Sequence, residues 1–187
     1  GHKDLERYYS LLEMDFAKEE IISKLSLHRA LLNGSAELLV VYDEESSLEV
    51  AYALVLTKNL YGYVLLKYMA VLPWYRGKGV GIAAMRLINK RYADRQGIIA
   101  ELTSFEDEDG SMIKGLRKFF ARFGYVVVDS DYRIGGAPVE LMVKPIKGTF
   151  EIEPVEHRII RDFYTRILNP FAMDKMIDIR PVRKPEE

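Results

Sequence analysis

The chain has 187 residues, 49% apolar and 29% charged, with a formal net charge of -1. That length suits one domain with a proper core, and the balanced charge argues against a nucleic-acid-binding surface. No apolar run approaches the roughly 18 residues of a membrane span, and no signal-peptide pattern opens the chain. Cysteine is absent, which excludes a disulfide framework and a thiol nucleophile. His2, His28 and His157 lie too far apart in sequence for a metal-ligand spacing. The expectation is a soluble cytoplasmic protein with no metal and no membrane partner.

Residues 4–14 place Leu5, Tyr8, Tyr9 and Leu12 at helical spacing and predict a first helix. Residues 17–32 predict a second amphipathic helix, stopped by Asn33-Gly34. His28 reads as a partly exposed face residue of it. Residues 36–42 and 48–57 then read as two strands around the polar turn 43–47. A third strand follows at 63–72, after a turn at 58–62. Connections this short join antiparallel neighbours, so the sheet begins as a meander.

The third strand carries Lys67 as its one charged residue, and Pro73-Trp74-Tyr75 ends it. Arg76-Gly77-Lys78-Gly79-Val80-Gly81 then leads into a helix with Ile82, Met85, Ile88 and Tyr92 on one face. A glycine-rich turn at a helix start is an anion-binding device. The first helical amides lack intrahelical acceptors, the peptide dipoles add partial positive charge, and glycines let a ligand approach. Arg76 and Lys78 add two cations, so a pyrophosphate is the natural guest.

The remaining elements are a strand at 98–105, an acidic run at 106–109, and a helix at 111–123 ended by Gly124. Strands at 125–131 and 139–144 follow, joined through Gly135-Gly136-Ala137-Pro138. Beyond them, 153–168 supports one more helix and 180–187 a frayed tail.

Spacing separates the candidate families. A P-loop requires Ser or Thr after Gly-Lys, and none follows Lys78-Gly79. Gly79-Val80-Gly81-Ile82-Ala83-Ala84 matches a Gly-x-Gly-x-x-Ala dinucleotide fingerprint, with Glu101 at about the expected distance of 20 residues. Six residues separate it from its strand, however, and repeated βαβ units are absent. The pattern that fits without repair is Arg/Gln-x-x-Gly-x-Gly/Ala after Ala-Val-x-Pro, here Arg76 to Gly81 after Ala70-Val71-Leu72-Pro73. It resembles the signature motif of the GNAT superfamily, the acetyl-CoA-dependent N-acetyltransferases. Residues 119–125 (FFARFGY) resemble that family's helix-to-strand passage.

The resemblance covers residues 1–145. It implies a mixed α/β (α+β) fold, GNAT-like, with a mainly antiparallel central sheet flanked by helices. Residues 146–187 form a C-terminal helical extension, which either packs on the sheet, covers the substrate side or joins a homodimer. The implied activity is direct acetyl transfer from acetyl-CoA to an amine of a small molecule or peptide. By position, Met69, Ala70 and Val71 supply backbone N–H groups to the thioester. Arg76, Gly77, Lys78, Gly79, Val80, Gly81 and Ile82 hold the pyrophosphate.

The catalytic expectations depart from the family pattern. The strand position of a family glutamate is Leu65 here, so Glu101 is the substitute base, its pKa raised by partial desolvation. Phe120 stands where a tyrosine acid is usual, leaving Tyr68 and Tyr132 as stand-ins. Two alternatives stay open: a non-catalytic acyl-CoA-binding module and a dinucleotide-binding protein.

Overall fold

The computed structural model describes residues 2–103, 110–128, 130–148 and 155–180. Helix α1 (His2–Asp15) buries Leu5, Tyr8 and Leu12 along one face, as its spacing predicts. The expected second helix is broken. A 3-10 turn at Lys18–Glu20 and an extended stretch precede α2 (Lys24–Leu32). Two local bonds explain the break. Ser23 accepts the Ser26 N–H as an N-cap, and the Ile22 N–H donates to Tyr68 instead of continuing a helix.

Strands β1 (Ala36–Tyr42), β2 (Glu49–Leu56) and β3 (Tyr63–Val71) form the meander, each pair antiparallel. Pro73–Tyr75 is a single 3-10 turn, and α3 (Val80–Arg91) follows. Strand β4 (Gly97–Thr103) lies parallel to β3. Helix α4 (Ser111–Ala121) leads to β5 (Val126–Val128), β6 (Asp131–Ile134) and β7 (Ala137–Pro145). The strand expected at 125–131 is therefore two short strands, which share the far edge of β7. Gly135 and Gly136 both have positive φ, as a two-residue hairpin turn between β6 and β7 demands.

The extension holds more structure than its sequence suggested. It contains α5 (Val155–Thr165), α6 (Pro170–Met176) and β8 (Ile177–Arg180), and β8 pairs antiparallel with β6. Asn169 caps α6 by accepting the Ala172 N–H, with Pro170 at the first helical position. The acidic run at 106–109 and the tail at 181–187 lie outside the described residues.

The sheet order is β1-β2-β3-β4-β7-β6-β8, with β5 beside β7. One face packs against α1, α2, α5 and α6, around Tyr68, Phe163 and Tyr164. The other packs against α3 and α4, around Met85, Ile88 and Phe120. The two cores make the sheet the middle layer of three.

Candidate active site

Two irregularities in β3 create the site. Against β2, Leu54 pairs with Tyr68 but Val55 pairs with Leu66, so Lys67 is the extra residue of a bulge. Leu65 and Tyr68 consequently face the same core, which strict alternation would forbid. On the other edge, parallel pairing with β4 ends at Leu66 opposite Ala100. Beyond that point β3 stays with β2 and β4 stays with β7. The strands part, and a cleft of about 630 Å³ opens between them.

The parting leaves main-chain groups of β3 without a strand partner. The Leu72 N–H donates to the Val50 carbonyl at 2.9 Å. Antiparallel pairing alternates, so Ala70 and Tyr68 also direct their N–H groups to β2, and Met69 and Val71 direct theirs to the gap. Met69 and Val71 line the cleft. By this alternation the Ala70 N–H, expected at the thioester, faces β2.

The glycine turn lies at the mouth of the cleft. Gly77 and Gly79 have φ of 75° and 80°, with open space where a Cβ would stand. Both are exposed, as are Arg76 and Lys78. Gly79 is the N-cap of α3 and has no side chain to satisfy the first amides. Val80, Gly81 and Ile82 form the first turn, and Gly81 lines the cleft. Arg76 points elsewhere than predicted. Its Nε donates to the Val71 carbonyl at 2.9 Å, and a terminal nitrogen lies 2.6 Å from Asp15. Asp15 also accepts from the Tyr52 hydroxyl at 2.8 Å. Lys78 rests near the Tyr75 ring.

Glu101 occupies the cleft floor in company the sequence did not reveal. Its Oε2 lies 2.8 Å from Lys67 Nζ, and both side chains are 1% exposed. The Tyr132 hydroxyl donates to Oε1 at 2.8 Å, and the Tyr164 hydroxyl lies 3.0 and 2.8 Å from the two oxygens. Desolvation, and then the charge of Glu101, push the Tyr132 and Tyr164 phenols well above their usual range. Lys67 also sits over the rings of Tyr68 and Tyr164. Both Glu101 oxygens are thus occupied, unlike the lightly solvated carboxylate anticipated.

Tyr68 is equally committed. Its hydroxyl donates to the Glu20 carbonyl at 2.7 Å and accepts the Ile22 N–H at 2.9 Å. Burial raises its pKa well above 10. It pins the broken segment between α1 and α2 against β3. Phe120 lines the cleft without a hydroxyl to offer.

Lys67, Tyr164 and Glu20 escaped the sequence reading. The first had a signal, because a lone cation in one apolar strand and a lone carboxylate in the next invite pairing. Tyr164 comes from the extension and Glu20 from a region read as helix, so neither had one. Among the described residues no group of three His, Asp or Glu side chains is placed to hold a metal. No helix among them is long and apolar enough to cross a membrane.

Residues 34–127 match the family model for the acetyltransferase (GNAT) domain. The chain belongs to the GNAT acetyltransferase family. A protein from Bacteroides thetaiotaomicron described as a GNAT-family acetyltransferase has a similar structure, with TM-score 0.65 and 20% identity over 87% of this chain and 92% of that one. The ribosomal-protein-S18-alanine N-acetyltransferase from Escherichia coli is similar at TM-score 0.56 and 16% identity, over 80% and 92%. An aminoglycoside 6'-N-acetyltransferase complexed with coenzyme A is similar at TM-score 0.56 and 15% identity, over 79% and 93%. Identities this low speak for the fold alone. No curated protein matches the chain.

Proposed function

We propose that the chain is an acetyl-CoA-dependent N-acetyltransferase acting on an amine of a small molecule or a peptide. The observation that carries this is the parting of β3 from β4 after Leu66 and Ala100, beside the open glycine turn. The cleft residues fit the cofactor: amides at both ends, apolar walls from Met69, Leu116 and Phe119, and no blocking side chain at Gly77 or Gly79.

When bound, acetyl-CoA supplies an activated acyl thioester. Its pyrophosphate is assigned to the amides from Gly77 to Ile82, with Lys78 alongside, while Arg76 stays paired with Asp15. The Met69 and Val71 N–H groups are preorganised donors for an oxyanion, and one such donor is worth about 100- to 1,000-fold in rate. Lys67 pairs with Glu101 and keeps the floor of the cleft polar. For Glu101 to act as base, one of its donors must first give way. Tyr68 serves this reading as a positioning residue, since both roles of its hydroxyl are taken.

The absence of a hydroxyl at Phe120 favours a second reading, a module that binds acyl-CoA without turnover. One experiment separates them. Acetyl-CoA is mixed with a panel comprising a polyamine, an aminoglycoside and a peptide with a free amino terminus, and release of free CoA thiol is followed. Amine-dependent release is expected. Tight acetyl-CoA binding with release no faster than without amine would favour the binding module, and NAD binding without acetyl-CoA binding would overturn both.

A further inference from the structure

Glu20 is a buried carboxylate, 7% exposed, with no cationic partner among the described residues. Its Oε1 accepts the Ala17 N–H at 3.1 Å and its Oε2 accepts the Thr103 hydroxyl at 2.6 Å. Both donors are neutral. A carboxylate removed from water is costly unless a cation balances it. Glu20 also lines the cleft, together with Lys67, Glu101 and Thr103.

Its neighbours divide into satisfied and unsatisfied charges. Lys67 and Glu101 balance each other, and Asp15 is balanced by Arg76. Lys18 and Glu13 line the outer part and are exposed. Among the described residues, Glu20 alone combines burial, access to the cleft and a carboxylate with no cationic partner. The fold holds it there firmly: the Tyr68 hydroxyl bonds its carbonyl, while Ala17 and Thr103 fix its two oxygens. Thr103 follows Glu101 by two residues on the same face of β4, about 7 Å along the strand.

We propose that Glu20 is the group that receives the acceptor's ammonium and takes its proton, while Glu101 stays paired with Lys67. This rests on the acetyltransferase reading. The incoming ammonium donates a hydrogen bond to a Glu20 oxygen and supplies the missing positive charge. One proton then passes from nitrogen to the carboxylate, leaving a neutral amine with a free electron pair. The resulting carboxyl later returns that proton to solvent. Tyr68 is the positioning residue, because it sets the Glu20 main chain from across the sheet.

The test compares Glu20→Gln with Glu101→Gln, using the best acceptor of the amine panel. An alkyl ammonium has a pKa near 10.4, so its free fraction rises about tenfold per pH unit below that value. Glu20→Gln is expected to lose roughly 100- to 10,000-fold in kcat/KM at neutral pH, and to recover about tenfold per unit as pH rises from 7 to 9. Calorimetric titration of the CoA-bound protein with the same amine should show weaker binding in Glu20→Gln, with CoA affinity unchanged. Tyr68→Phe should shift the profile in the same direction by less. Parental kcat/KM and pH profile in Glu20→Gln, or this pattern in Glu101→Gln alone, would overturn the assignment. A parent protein that binds acetyl-CoA yet serves no amine would overturn the acetyltransferase reading itself, whatever the variants do.

Discussion

Lys67 and Glu101 meet one residue past the last parallel pair of β3 and β4, Nζ to Oε2 at 2.8 Å, sealed from solvent. The pair bridges the strands where their hydrogen bonds stop. Removing one partner leaves the other charge buried and uncompensated, which costs about 3–5 kcal/mol. Lys67→Met should therefore lower stability by that order in urea denaturation. The double variant Lys67→Met/Glu101→Gln should recover part of the loss. Costs that simply add would mean the two groups do not act as a unit.

The buried phenols predict a pH effect of definite sign. Burial raises Tyr68, Tyr132 and Tyr164 well above the usual value near 10. A group whose folded pKa exceeds its unfolded pKa contributes stability that is intact below the unfolded value. That stability declines as pH rises from the unfolded towards the folded value. Stability should therefore fall above about pH 10, and ultraviolet titration should show these phenols silent until the chain unfolds. Smooth ionisation of all twelve tyrosines near pH 10 in folded protein would contradict the buried network.

Much of the fold was legible because short connections and β-branched runs fix a meander, and a glycine turn fixes the head of α3. The bulge at Lys67 was not, since it needs the register of β2 to be seen. Nor was the helix break at 21–23, which Tyr68 imposes from 46 residues away in sequence. The site divides in the same way. The glycine turn is local and was read directly, whereas Glu20, Lys67, Glu101 and Tyr164 come from four separate elements. Arg76 was placed by pattern on the pyrophosphate, but an ion pair with Asp15 competes for it.

Gly79 and Gly124 offer a matched comparison at the glycine turn. Both have φ near 80°, and neither has an atom within 4 Å of an added Cβ. An L side chain in that conformation costs each site about 1 kcal/mol. Gly79→Asp adds a negative charge where a pyrophosphate is proposed to bind, and Gly124→Asp adds it at the end of α4. Thermal shifts with CoA should vanish in the first variant and persist in the second. Equal responses would move the phosphate site away from α3.

The extension should prove inseparable from the domain it follows. Ile159, Ile160, Phe163 and Tyr164 are buried in the core on the α1 face of the sheet. Strand β6 pairs with β7 at two positions and with β8 at four, so most of its ladder depends on the extension. Ending the chain at residue 148 should expose that core and give a protein lacking a cooperative unfolding transition. Because such a variant is drastic, point changes carry the argument further. Phe163→Ala should cost about 3–5 kcal/mol, while Phe171→Ala, at a side chain 79% exposed, should stay within about 0.5 kcal/mol of the parent. Tyr164→Phe keeps the packing and removes only the hydroxyl on Glu101, a hydrogen bond to a charge worth about 1.5–3 kcal/mol. A cooperatively folded, fully stable protein ending at residue 148 would make the extension an appendage, and the carboxylate's third donor dispensable.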